Sequence, residues 1–236
     1  MSWSWEVAER DHEIQDPTSA EKVRLLGAYL RLDGSSRVLD LACGKAGPAL
    51  VLAEAFGCRV QGVELRPEFA DEARARVAQC GLGELVSIET ADAAAYPLEP
   101  QAWDAALCLG ASFVWGHIGD AATVLLPAVR PGGFVAIGEP FWLQNGVEAD
   151  DFVDLTATVD RFQSGGLALT GLIAASDADW DRYESLHWRA LEEWLAANPA
   201  HPDAAEMRTR HLARRDDYLR SQRTRLGWAI FVGRKS

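Results

Sequence analysis

Residues 37–47 read R-V-L-D-L-A-C-G-K-A-G, and this stretch decides the fold. Val38 and Leu39 predict a short strand buried in a parallel sheet. A loop of small residues follows, and Pro48 suits the first turn of a helix, where its missing N–H is not needed. A strand, a tight loop and a helix N-terminus in this order predict a Rossmann-type site whose loop amides point at the ligand.

Asp40, at the end of this first strand, indicates the charge of the ligand. A carboxylate there would repel a pyrophosphate, so the site favours a ligand that carries positive charge. S-adenosylmethionine, with its ammonium and sulfonium groups, meets that requirement. Glu64 ends the next apolar run, 20 residues after Gly44, where an acid accepts the hydroxyls of a ribose. Two acids at two strand ends favour this reading over a plain strand and turn with a capping aspartate.

The segment D-L-A-C-G that begins at Asp40 resembles the first motif of the class I S-adenosylmethionine-dependent methyltransferases, which usually reads D-x-G-x-G-x-G. This chain departs from that motif, with Ala42 and Ala46 at two glycine positions. The chain has a narrower resemblance to uncharacterised bacterial methyltransferases. They share the G-E-P-F-W segment at residues 138–142, and a segment at residues 180–199 that opens W-D-R-Y-E and closes W-L-A-A-N-P.

The resemblance implies S-adenosylmethionine as cofactor, S-adenosylhomocysteine as product and a set of binding residues. In the family, the position of Asp92 bonds the adenine amino group, and that of Gly110 faces the methionine part of the cofactor. A turn or helix cap is the other explanation of Asp92. The candidate cofactor-binding residues are Asp40, Ala42, Cys43, Gly44, Glu64, Leu65, Asp92, Ala93, Leu109 and Gly110.

The rest of the chain alternates strand and helix, which predicts an α/β doubly wound sheet with helices on both faces. Strands are predicted at residues 59–65, 85–91, 103–109, 134–139 and 167–175, and the chain closes with a strand from residue 227. The resemblance implies seven strands, the last one antiparallel. We expect a single domain over residues 1–236, with an N-terminal arm and helix at 1–30 and a helical cap insertion at 177–225, between the last two strands. Thr18 and Glu21 predict a capping box for the first helix.

Two residues are candidate catalytic groups, Glu139 and His12. Glu139 ends the fifth predicted strand, where a carboxylate accepts a substrate proton, although local backbone groups would explain it equally well. His12 titrates near neutral pH, but a lone histidine more often has a structural role. The candidate substrate pocket consists of Trp142, Tyr183, His187 and Trp188. The helical spacing of Tyr183, His187 and Trp188 in the cap insertion also fits simple packing onto the sheet, which is the favoured alternative.

Composition excludes several classes of protein. The net charge of −12 over 236 residues argues against a nucleic-acid partner. Without a membrane-spanning run or a signal-peptide pattern, the sequence predicts a cytoplasmic protein and no membrane partner. The four cysteines are unclustered, which predicts free thiols and no metal site.

These features predict a methyltransferase that uses S-adenosylmethionine to modify a small-molecule acceptor, as a monomer or a homodimer. A non-catalytic S-adenosylmethionine-binding sensor or partner protein is the alternative. Such a protein would need neither Glu139 nor the cap insertion. The sequence leaves open which molecule is the acceptor, and whether an O, N, S or C atom is methylated.

Overall fold

The centre of the molecule is a seven-stranded sheet, seen in a computed structural model that describes residues 3–148 and 151–236. The first two residues of the predicted N-terminal arm therefore lie outside the description. The strands are β1 (Arg37–Leu41), β2 (Arg59–Glu64), β3 (Val86–Thr90), β4 (Trp103–Leu109), β5 (Val129–Trp142), β6 (Ala168–Ala174) and β7 (Leu226–Arg234).

The strand order is β3-β2-β1-β4-β5-β7-β6. The first five strands pair in parallel, and β7 is antiparallel to both of its neighbours. The order reverses between β1 and β4, and in such sheets a crevice forms at this point, outside the carboxyl ends of the strands. The predicted doubly wound sheet with an antiparallel last strand is confirmed.

Helices cover both faces of the sheet. They are α1 (Trp3–Glu9), α2 (Ala20–Tyr29), α3 (Gly47–Phe56), α4 (Pro67–Gln79), α5 (Ile118–Leu125), α6 (Leu155–Ser164), α7 (Asp177–Ala197), α8 (Ala204–Asp217) and α9 (Arg223–Arg225). α2, α3 and α4 pack on one face, and α5 and α6 on the other. Side chains of β1 alternate between the two layers, Val38 in the first and Leu39 in the second, as the pleat requires. Among the described helices, none is both long and apolar enough to cross a membrane.

The predicted capping box at the start of α2 is wrong by one residue. Ser19 is the N-cap, and its Oγ accepts the N–H of Lys22 at 3.3 Å. The N–H of Thr18 instead bonds the carbonyl of Asp16 at 2.7 Å, which closes a turn just before the helix. A hydroxyl one position later then meets the free amides of the first turn.

β5 is longer than the predicted strand at 134–139, and it contains the G-E-P-F-W segment. β4 ends with Leu109 opposite Gly138, so beyond that point β7 is the one described strand that pairs with β5. Pro140 has no N–H to donate, and it is tolerated because its position is paired on one side alone. The predicted strand ends before Pro140 because proline usually interrupts a strand, and the prediction therefore misses the last residues of β5.

Candidate active site

A cavity of about 640 Å³ lies at the carboxyl ends of β1, β2 and β4, where the strand order reverses. It is open to solvent on one side and walled by the N-terminal arm and by α7 on the others. Of the residues selected from the sequence, those that line it are Asp40, Ala42, Cys43, Gly44, Glu64, Leu65, Leu109, Gly110 and Tyr183.

The loop after β1 has a left-handed backbone at three positions. The φ angles of Ala42, Gly44 and Ala46 are 58°, 55° and 60°. Glycine adopts this conformation freely and alanine does so under mild strain. The two alanines that replace glycines of the family motif therefore keep the backbone that glycine would permit.

Asp40 is the most unusual group in the cavity. It is 2 % exposed, and its Oδ2 has no hydrogen-bond partner among the residues described. Burial raises the pKa of this carboxyl to about 8, helped by the negative charges of Asp16 and Glu64. A buried acceptor without a partner is destabilising, and a cationic ligand would satisfy it. The ammonium and sulfonium groups of S-adenosylmethionine fit this environment.

Glu64 has both carboxylate oxygens in use. Its Oε2 accepts the N–H of Gly44 at 2.9 Å, and its Oε1 accepts the N–H of Arg66 at 2.8 Å. Each carboxylate oxygen has room for a second donor. Glu64 therefore holds the loop after β1 in place and still has capacity for ribose hydroxyls.

The N-terminal arm supplies cavity residues that sequence reasoning missed, Gln15, Asp16 and Pro17. Gln15 Oε1 accepts the N–H of Lys45 at 2.8 Å, directly over the loop after β1. A Cβ built on Gly110, whose φ is 78°, would lie 2.1 Å from Asp16 Oδ1, so a side chain there would displace the Asp16 carboxyl. The arm has no strand pattern, and the rule that selects strand ends could not find these residues.

A buried lysine fixes this arm to the body of the protein. Lys45 is 1 % exposed, and its ammonium donates to the carbonyl of Arg10 at 3.0 Å and to Glu72 at 2.8 Å. The guanidinium of Arg76 also donates to the carbonyl of Glu13, at 2.8 Å. These contacts hold the arm against the body of the protein, where it forms one wall of the cavity.

Besides Asp40, two buried carboxyls near the cavity, Asp16 and Glu139, have raised pKa values, and of these two Asp16 lines the cavity. Burial, with a contribution from the charge of Glu9, raises the pKa of Asp16 to about 7. Burial also raises the pKa of Glu139 to about 7, but this side chain accepts a short hydrogen bond from Ser112 and is not among the lining residues. Asp16 is therefore the better placed proton acceptor.

Several predicted site residues lie outside the cavity wall. Asp92 is exposed, and its Oδ1 accepts the N–H of Ala94 at 2.9 Å, as in a turn cap. The neighbouring Ala93 is buried in the second helix layer. β5 extends as far as Trp142, so this side chain lies beyond the cavity lining. The guanidinium of Arg225 lies over the Trp142 ring, 5.6 Å from its centroid.

Three more predicted residues pack behind the wall. His12 and His187 contact each other with ring centroids 4.3 Å apart, next to Tyr183. Trp188 packs edge-on against Tyr218 at 5.7 Å. The catalytic role of His12 and the pocket role of His187 would therefore have to act through Tyr183, which does line the cavity, and Trp188 contacts Tyr218 instead.

Aromatic residues form part of the cavity lining, the aromatic wall. It is formed by Trp5, Phe113, Trp180, Tyr183 and Trp228. Arg214 lies next to Trp5 in this lining, and its guanidinium donates to Glu184 at 2.9 Å and lies 5.7 Å from the Trp5 ring. Such a surface suits a largely apolar or aromatic molecule, with polar groups placed near Arg214 and Glu184.

Comparison with known proteins places these features in a family. Residues 38–133 match a family described as "Methyltransferase domain". A crystal structure of an S-adenosylmethionine-dependent methyltransferase from Thiobacillus denitrificans, in complex with S-adenosyl-L-homocysteine, is 30% identical in sequence. It superposes with a TM-score of 0.91 over 98% of both chains.

Two further relatives are similar in sequence. The uncharacterised protein YjhP of Escherichia coli K12 is 31% identical over 96% of this chain and 95% of its own length. The 27-O-demethylrifamycin SV methyltransferase of Amycolatopsis mediterranei is 28% identical over 76% of this chain and 69% of its own.

Proposed function

The chain belongs to the S-adenosylmethionine-dependent methyltransferases, and from this premise we propose that it methylates a small, largely apolar molecule bound in the same cavity. The observation that carries the proposal is the buried Asp40 carboxylate, whose Oδ2 has no hydrogen-bond partner among the described residues and which lines a cavity with an aromatic wall. The similarity to the 27-O-demethylrifamycin SV methyltransferase supports a small-molecule acceptor. The net charge of −12 supports the exclusion of nucleic acid.

When bound, S-adenosylmethionine supplies a methyl group activated by its positive sulfonium. Asp40 would accept hydrogen bonds from a cationic group of the cofactor, and Glu64 would accept those of the ribose. Gln15, which accepts the Lys45 N–H and lines the cavity, completes the binding side. The main contribution of these residues to the rate is orientation, since a held acceptor and cofactor react without the entropy cost of meeting.

Asp16 is proposed as the group that takes a proton from the acceptor. It is buried in the wall, beside Gly110, and its pKa of about 7 leaves a useful fraction of carboxylate at neutral pH. The aromatic wall keeps water from the reacting atoms. Glu139 and His12 remain candidates for indirect roles, since neither lines the cavity.

The test combines binding with turnover. S-adenosylhomocysteine should raise the melting temperature more than NAD⁺ does, because Asp40 would repel the pyrophosphate of NAD⁺. A panel of phenols, apolar alcohols and amines, incubated with S-adenosylmethionine and followed by mass spectrometry, should contain a methylated product. In Asp16→Asn, S-adenosylhomocysteine should bind about as tightly while turnover falls about 10²–10⁴-fold.

Asp11→Asn is the matched control, because it removes an acid from the same arm at a position that does not line the cavity. It should keep both binding and turnover. Stronger stabilisation by NAD⁺ would overturn the cofactor assignment. Tight binding of S-adenosylhomocysteine with no methylated product from any class of acceptor would favour the non-catalytic sensor.

A further inference from the structure

Three buried side chains from distant parts of the chain meet behind the aromatic wall. They are Glu9 at the end of α1, His12 just after it, and His187 in α7. Their side chains are no more than 1 % exposed, and one potential ligand atom from each lies within 4.8 Å of the others. We propose that Glu9, His12 and His187 form a binding site for a divalent transition-metal ion of the zinc type.

The hydrogen bonds of His12 define which of its nitrogens is free. Its Nε2 is 2.9 Å from the carbonyl oxygen of Tyr183, and since a carbonyl only accepts, Nε2 carries the hydrogen. The Nδ1 of the neutral ring then presents a lone pair. It faces Glu9 Oε2 at 3.4 Å, and neither atom has a hydrogen-bond partner in the described part of the chain. Two unpaired acceptors facing each other in a buried site need a cation between them.

The geometry suits a metal ion as that cation. Ligand atoms at opposite ends of a tetrahedron's edge are about 3.3–3.4 Å apart when the metal–ligand bonds are about 2.0–2.1 Å. The distance from His12 Nδ1 to Glu9 Oε2 is 3.4 Å. His187 Nε2 is hydrogen-bonded to the other oxygen of Glu9 at 2.7 Å, so its ring borders the same space, and a metal ion would replace the proton of that bond. Two imidazoles and a carboxylate are a common zinc ligand set.

The surroundings of His12 are also those of a metal ligand. Metal-binding histidines usually donate their second ring N–H to a carbonyl or carboxylate, which fixes the ring. The carbonyl of Tyr183 has this role for His12. The charges around the cluster have both signs. Arg214 and Lys45 are cations that act on Glu9, and Asp16 and Glu184 are acids that interact with the same cluster. A divalent ion would therefore not enter a region of unopposed positive charge.

The site explains how two distant segments form one wall. Glu9 and His12 are three residues apart, whereas His187 lies 175 residues later. Spacing in the sequence therefore predicts no metal site, and only the packing of α1 on α7 assembles it. A metal ion there would tie the N-terminal arm, which carries Gln15 and Asp16, to the helix that carries Tyr183.

The experiment uses the full chain, stripped with a chelator and titrated with Zn²⁺ or Co²⁺ alone, without cofactor. We expect one tight equivalent of Zn²⁺ per chain by elemental analysis. The melting temperature should rise by about 5–10 °C at a hundredfold excess over Kd. Co²⁺ should give the visible absorption of a four-coordinate site with nitrogen and oxygen ligands. His12→Gln and Glu9→Gln should each weaken metal binding about 10–100-fold or more.

His201→Gln is the control, because it removes an exposed histidine outside the cluster and should leave binding unchanged. Equal loss in His201→Gln and His12→Gln would mean adventitious surface binding and would overturn the proposal. So would a protein that remains metal-free and whose stability responds to pH but not to Zn²⁺, since a proton would then occupy the gap. The Co²⁺ spectrum of the unaltered chain decides the question even if a variant fails to fold.

Discussion

Asp40 is a buried acid whose Oδ2 has no hydrogen-bond partner in the described part of the chain, and this makes it responsive to both ligand and pH. A group of this kind destabilises the free protein when it ionises, because the charge is taken out of water. A cation in the cavity reverses the effect. The residue thus couples cofactor binding to the release of a proton at neutral pH.

Asp40→Asn should lower the affinity for S-adenosylhomocysteine about 10–100-fold, since a hydrogen bond to a charged group is worth about 1.5–3 kcal/mol. In the unaltered protein the affinity should rise with pH up to about 8, where the carboxyl of the free protein is ionised, and then level off. Calorimetry at several pH values is the measurement. The variant should lose this pH dependence, and Asp160→Asn, an exposed acid on α6, should keep it. A variant with the pH profile of the parent would contradict the assignment.

The residues of the cavity divide into those that local sequence identifies and those that it does not. Asp40 and Glu64 follow apolar runs, and the strand-end rule finds them without any knowledge of packing. Gln15 and Asp16 follow no strand. Their position depends on Lys45 and Arg76, which bind the arm from the body of the protein, and such long-range polar contacts leave no periodic signal.

At the scale of elements, the N-terminal arm and the cap insertion meet in a small core of their own. Ala8 of α1, Leu191 and Leu195 of α7, and Met207 of α8 form a cluster separate from the two layers on the sheet. Polar contacts tie α7 to the start of α2, including short bonds from Arg182 to the carbonyl of Thr18 and between Lys22 and Asp179. A small core with many polar contacts opens more easily than the sheet.

We therefore expect S-adenosylhomocysteine to slow amide hydrogen exchange in residues 10–17 and 177–190 as well as in the loop after β1. The N-terminal arm and α7 both line the cavity, so a bound ligand would suppress the local unfolding through which their amides exchange. Exchange mass spectrometry with and without the ligand measures this. α6, which packs on the other face of the sheet, is the internal control and should not change. Protection restricted to residues 38–112 would show that the cofactor does not order the cap insertion.

The elements themselves were mostly predictable. β2, β3, β4 and β6 lie within one residue of their predicted ends, because each is an apolar run bounded by polar or turn residues. For β5, the predicted strand at 134–139 covers less than half of the observed Val129–Trp142. Its second part depends on pairing with β7, ninety residues later in the chain, and contains Pro140, which local propensity reads as a strand breaker.

For the whole molecule, buried ionisable groups predict how stability depends on pH. Asp16, Asp40 and Glu139 have folded-state pKa values raised to about 7, 8 and 7. A raised carboxyl pKa means that stability is greatest at low pH and is lost as pH rises toward the folded value. Burial lowers the pKa of His187 to about 3. The stability that its neutral form contributes is therefore lost as pH falls below about 6.5, the ordinary histidine value. Above that pH the acids alone decide the trend.

The melting temperature of the free protein should therefore fall between about pH 6.5 and about pH 8.5. Asp40 alone would account for about 2 kcal/mol, which is about 4–8 °C for a chain of this size. Differential scanning calorimetry provides the measurement. The fall should be smaller with S-adenosylhomocysteine bound and smaller in Asp40→Asn. A melting temperature that rises over this range would mean that the three acids are not buried in the free protein.

The place of β7 in the sheet sets the order in which the molecule can be completed during synthesis. β7 follows every other described strand in the chain, yet it pairs between β5 and β6. While a ribosome is still adding residues 226–234, β5 has an open edge and β6 has no neighbour in the sheet. The strands that hold Asp40 and Glu64 are made much earlier and can already pair. A nascent chain thus forms its cofactor loop long before the nine residues of β7 are made. Once made, β7 pairs with the unpaired edge of β5 and brings that edge into the interior of the sheet.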